Sequence, residues 1–121
     1  KAIGKAIPEL EGKLDGIAFR VPTPAVSVLD LVVRVAKPVS VEDVNKALER
    51  ASKSKEMKGI LKFETEPLVS ADFIGDSHSA IVDGLSTMVK NDLVKVIGWY
   101  DNEYGYSCRL AEMAEYCGEK I

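Results

Sequence analysis

One histidine, one tryptophan and two cysteines among 121 residues leave little material for several familiar chemistries. His78 with scattered carboxylates does not form a metal cluster, and no metal is expected. Cys108 and Cys117 fall on one predicted helix, separated by a rise of about 13.5 Å with their side chains about half a revolution apart. Disulfide Cα atoms must approach within about 7 Å, so the two are read as ordinary intracellular thiols. No apolar run approaches the roughly twenty residues that span a bilayer, and no leader pattern opens the chain, so a soluble protein is expected. Basic side chains, 16 of them, are spread among 19 acidic ones for a net charge of -3, which offers no phosphate-backbone footprint and disfavours nucleic acid. What remains is one compact domain with room for a core, without repeats or low-complexity segments.

Ala2, Ile3, Ala6, Ile7 and Leu10 repeat at helical spacing until Pro8 ends or kinks the run. Ile17, Phe19 and Val21 alternate with Ala18 and Arg20, the pattern of a strand with Arg20 facing away from the core. Pro22 and Pro24 interrupt it, and a second strand over residues 27–35 places Leu29, Leu31, Val33 and Val35 on one side. Ser40 and Asp43 open a helix with a capping-box pattern, striped by Val41, Val44, Ala47, Leu48 and Ala51. Residues 52–58 read as a solvated loop. Strand patterns over 60–65, 68–74 and 79–89 precede the one that delivers Trp99, and Leu110, Met113, Ala114 and Cys117 make the inner stripe of a closing helix. Six strands with so few helices between them do not suit regular βαβ alternation. The fold class expected is α+β, a mostly antiparallel sheet with helices packed on one side.

The stretch Trp99, Tyr100, Asp101, Asn102, Glu103, Tyr104, Gly105, Tyr106, Ser107 stands where a strand pattern gives way to an amphipathic helix. Polar groups held between two rigid elements are well placed to orient a ligand, although Asp101 and Asn102 taken alone suit turn or capping chemistry better.

This string resembles the WYDNE(W/F)GYS segment of phosphorylating glyceraldehyde-3-phosphate dehydrogenases. Residues 17–30, IAFRVPTPAVSVLD, are similar to that family's AFRVPTPNVSVVD; residues 58–61 read KGIL; and residues 68–79 resemble its VSxDFxxDxHS stretch. The four motifs occur in family order along nearly the whole chain, which makes the resemblance specific. It implies that residues 1–121 are the C-terminal part of the catalytic domain. Lys1 and Ala2 look like the tail of the family's STGAAKA loop. The glycine-rich dinucleotide turn and the SCTTN segment with the nucleophilic cysteine are not among these residues, so the fragment alone is expected to be inactive.

Arg20 is a permanently charged fork suited to a pair of phosphate oxygens, while on spacing alone it is more simply a solvated arginine. The resemblance implies that Arg20 anchors the substrate's phosphate. Asn102 carries the donors and acceptor that complement a carboxamide, with a turn-forming asparagine as the plainer reading. The resemblance implies that Asn102 bonds the carboxamide of NAD or NADP and that Tyr106 lies against the same pocket, whereas an aromatic at a helix start is as readily core. Glu103 is read as structural, and His78 as a residue making local hydrogen bonds, since the family's catalytic histidine belongs to an upstream segment. No residue of this chain is assigned as catalytic.

The parent protein implied is a cytoplasmic enzyme, a homo-oligomer expected to be a tetramer, that oxidises a sugar-phosphate aldehyde through a cysteine thioester released by inorganic phosphate. The rival readings are a non-catalytic binding or assembly module that retains this domain, and an erythrose-4-phosphate dehydrogenase. Three departures from the family pattern, Ala25 for Asn, Tyr104 for Trp or Phe and Cys108 for a polar residue, bear on local hydrogen bonding and subunit contacts more than on the assignment.

Overall fold

A computed structural model describes residues 2–120. Lys1, part of the resemblance to the STGAAKA loop, lies outside the described residues. A short helix α1 (Ala2–Ala6) runs into a single 3-10 turn at Pro8–Leu10, the ending that Pro8 dictates. Four strands then form one sheet, β1 (Ser27–Arg34), β2 (Leu61–Glu64), β3 (Ala80–Lys90) and β4 (Leu93–Tyr100), in the order β1-β4-β3-β2. β4 pairs antiparallel with both β1 and β3, and only β2 runs parallel to its neighbour. With the helices α2 (Val41–Ser52) and α3 (Tyr104–Gly118), the fold is α+β with a mostly antiparallel sheet.

The capping box at α2 forms as its sequence dictates. Ser40 Oγ accepts the N–H of Asp43 at 3.1 Å, and the Asp43 carboxylate accepts the N–H of Ser40 at 3.0 Å. The helix packs against β2 and β3 largely with the expected face, Val41, Val44, Leu48 and Ala51 being half-buried, and departs from it at one position. Ala47 is exposed, while Asn45 turns inward and donates its side-chain amide to Gly84 O at 2.8 Å. A backbone carbonyl left unpaired by the irregular stretch of β3 between Asp83 and Met88 draws in a polar residue that an apolar stripe would not include.

Two expected strands are absent. Residues 17–21 join no sheet, and Ile17, Phe19 and Val21 are 83, 80 and 65% exposed. Alternation marks a strand only when a neighbouring edge takes up its N–H and C=O groups, and none is present here. Residues 68–74 instead form a 3-10 turn, Ser70–Phe73. The Asp72 carboxylate accepts the N–H of Val69 at 2.8 Å, a local bond that competes with strand pairing. That turn carries Phe73 inward to 1% exposure.

Phe73, Ile81 and Val26 form the core cluster, with Trp99, Leu68 and Ala25 packed around them. Phe73 stacks on Trp99 with ring centroids 5.8 Å apart. Cross-strand register puts Val28, Trp99 and Ile81 on one face of the sheet, so this cluster roofs that face at the end where β4 leaves. Val26 achieves its burial at φ 69°, a left-handed conformation that a β-branched residue adopts only under strain.

The closing helix also departs from expectation. Leu110 and Met113 are each 58% exposed, Ala114 and Cys117 are exposed as well, and Gly105 is the only buried residue of α3. Its predicted inner stripe therefore has nothing to pack on among the described residues.

Candidate functional site

β4 ends at Tyr100, and the side chain of Asp101 organises the turn into α3. Its Oδ1 accepts the N–H groups of Glu103 at 3.0 Å and Tyr104 at 2.9 Å, capping α3, and its Oδ2 accepts the N–H of Gly75 at 2.9 Å. These bonds, that from Gly75 foremost, hold the Asp101 carboxyl below its ordinary range. The first turn of α3 is thereby drawn onto residues 75–79. A Cβ on Gly105 would lie 2.6 Å from His78 O, so backbone meets backbone here and only glycine fits.

Between the end of β4 and this first turn opens a cleft of about 340 Å³, lined by Ser79, Tyr100, Asp101, Asn102, Tyr106 and Arg109 among others. Asn102 and Tyr106 are thus brought together. Tyr106 is 68% exposed and is a wall of the cleft, not core. Asn102 donates its side-chain amide to Ser27 Oγ, which leaves its carbonyl oxygen and its second N–H for a ligand. An amide with one donor and one acceptor open, beside an exposed aromatic ring, fits a flat ring that bears a carboxamide.

Arg20 is not among the residues that line this cleft, and it sits exposed in the unpaired stretch. His78 has a local role: its Nδ1 lies 2.6 Å from Asp76 Oδ1, which also accepts the His78 N–H at 2.9 Å. Burial pushes the Asp76 carboxyl up, but the two His78 bonds and the Lys62 ammonium 3.5 Å away together bring it below its ordinary value. Cys108 is half-buried and Cys117 exposed, both as free thiols. Among the described residues no three histidine, cysteine or carboxylate side chains gather where a metal could sit, and no helix is long and apolar enough to cross a membrane.

Sequence reasoning missed Ser27, which anchors Asn102 from 75 residues upstream, and Arg109, which carried no signal beyond its i,i+3 spacing to Glu112.

A mostly antiparallel sheet whose last strand leads into an amide and an aromatic ring at an open cleft defines a ligand-positioning α+β domain. The family described as glyceraldehyde 3-phosphate dehydrogenase, C-terminal domain, matches residues 1–102, and the chain belongs to it. Arg20 and Asn102 lie inside the match, and Tyr106 lies beyond it. Over 121 residues, 99% of the chain, it is 53% identical to a glyceraldehyde-3-phosphate dehydrogenase of Priestia megaterium, covering 36% of that protein. The corresponding enzyme of Geobacillus stearothermophilus is also 53% identical with the same coverage. Glyceraldehyde-3-phosphate dehydrogenase 3.1 of Caenorhabditis briggsae is 49% identical over 99% of the chain and 35% of the relative. The chain therefore spans about a third of the length of the curated relatives it matches.

Proposed function

We propose that this chain is the C-terminal part of the catalytic domain of a phosphorylating glyceraldehyde-3-phosphate dehydrogenase, working in the cytoplasm as part of a homotetramer. The observation that carries the reading is the convergence of Asn102 and Tyr106 on one cleft, in a chain about half identical to such enzymes throughout its length. The chain's part is positioning. Asn102, steadied by Ser27, offers its open carbonyl and N–H to the nicotinamide carboxamide, and the Tyr106 ring walls the same space. Arg20 binds the phosphate of the aldehyde, with residues 17–21 taking up a strand partner supplied by the remainder of the parent. When bound, NAD or NADP supplies the hydride acceptor. A cysteine of the parent forms the thioester that inorganic phosphate releases.

The test is nucleotide reduction by the full-length protein. It should require both glyceraldehyde 3-phosphate and inorganic phosphate, proceed less well with erythrose 4-phosphate, and be absent from the 121-residue chain alone. No turnover by a folded, full-length protein would favour a binding or assembly module instead.

A further inference from the structure

Building on the reading of Asn102 and Tyr106 as the nicotinamide-facing pair, we infer that Arg109 is a positioning residue for that pair, fixing the seat of the first turn of α3. Its Nη1 donates to Gly59 O at 3.2 Å, Ser77 O at 3.3 Å and Ser79 Oγ at 3.2 Å. The other edge of the guanidinium is held within the helix by Glu112, through Nε at 2.8 Å and through Nη2. One side chain thus ties α3 to the two segments that lead into β2 and β3.

Its fork is occupied by acceptors of its own chain. An arginine that binds an anion leaves such an edge open, so the chemistry of Arg109 is that of a brace. The brace matters because, among the described residues, nothing packs on the apolar stripe of α3: Leu110, Met113 and Tyr116 are each 58% exposed, and Gly105 alone is buried. Asp101 grips Gly75 at one end of residues 75–79, and Arg109 grips Ser77 and Ser79 at the other. Asn102, the Gly105 contact and Tyr106 lie between the two grips. Releasing the Arg109 grip lets this turn lift from His78 and takes the amide and the ring out of register with Ser27.

The experiment uses the full-length holoenzyme and measures single-turnover hydride transfer per titrated active-site thiol, the NAD dissociation constant and the aldehyde KM. Arg109→Met is expected to slow hydride transfer about tenfold, with aldehyde KM changed by less than about twofold. Because Arg109 acts through Asn102, the Arg109→Met, Asn102→Ala double variant should be no slower than Asn102→Ala alone to within about twofold. A merely structural brace would lower the melting temperature and give losses that multiply in the double variant. Arg109→Lys retains the charge but not the two-edged fork, and should slow hydride transfer about threefold. If Arg109→Met does not fold, the lysine variant decides, and a wild-type rate there overturns the inference. A normal Arg109→Met rate beside an impaired Asn102→Ala defeats the inference alone. Wild-type behaviour of Asn102→Ala defeats the nicotinamide reading, and the inference with it.

Discussion

Asn102 donates its side-chain amide to the hydroxyl of Ser27, joining the turn after β4 to the first residue of β1. Strand register makes this bond possible, because Ser27 pairs with Tyr100 and the amide two residues on returns alongside the edge strand. Ser27→Ala should leave the fold intact while freeing the Asn102 side chain to rotate. Losing one neutral hydrogen bond corresponds to about 0.5–1.5 kcal/mol, a rise of roughly two- to tenfold in the NAD dissociation constant of the full-length enzyme. Fluorescence titration checks this, and unchanged affinity would remove Ser27 from the site.

Val26 provides a test of backbone strain. At φ 69° alanine keeps the steric penalty and glycine does not, which inverts their usual order of stability. Val26→Gly should be more stable than Val26→Ala by about 1 kcal/mol, although both lose the buried side chain. Paired thermal melts of the two full-length variants read the order directly, and an alanine variant that melts higher contradicts it.

Arg20→Ala in the full-length enzyme should lower kcat/KM for glyceraldehyde 3-phosphate by at least about tenfold, since charge-assisted hydrogen bonds contribute about 1.5–3 kcal/mol each. Unphosphorylated glyceraldehyde should be affected much less. Equal losses for the two substrates would mean that Arg20 supports the site generally, and its role as phosphate anchor would be abandoned.

Gly105→Ala places a methyl group 2.6 Å from His78 O, a backbone atom that moves only if residues 75–79 or α3 move. Displacements of about 1 Å at a reacting site cost up to about a hundredfold in rate, so hydride transfer should fall at least about tenfold. A wild-type rate in this variant would show that α3 is not held where the contact places it.

The Asp101 carboxyl is held below its ordinary value of 3.8, so in acid the folded protein binds fewer protons than the unfolded chain. Its contribution is complete above that value and is lost as pH falls from there through the lower folded-state value. Acid unfolding of Asp101→Asn should therefore depend less steeply on pH below 3.8 than that of wild type. Superimposable profiles would mean that the Gly75, Glu103 and Tyr104 bonds carry no linkage.

Local signals were legible in the sequence where the physics is local. The Ser40–Asp43 box, the stop at Pro8 and the strand that delivers Trp99 all appear as their residues dictate. Asn102 and Tyr106 line one cleft as well, a placing that the family resemblance implied and that no local pattern contained. Residues 17–21 carry a faithful period of two and still form no strand, because pairing depends on an edge that the pattern does not contain. Residues 68–74 went to a 3-10 turn, where the Asp72 carboxylate accepts the Val69 N–H that a strand would have given to a neighbour. Ser27 and Arg109 were invisible for a related reason: each acts on a partner at least 30 residues away, a distance that spacing rules do not span.

The unpaired stretch at residues 17–21 should govern how the isolated domain behaves in concentrated solution. It combines alternating bulky apolar side chains with backbone groups that no strand takes up, and β1 and β2 each leave a sheet edge open. Stretch and edge on neighbouring copies are mutually adhesive, so the isolated domain should self-associate by strand addition. Expression trials would then meet turbidity before they meet unfolding. A single lysine in place of Phe19 should clear such solutions without altering β1–β4 pairing, since Phe19 stands exposed and outside the sheet.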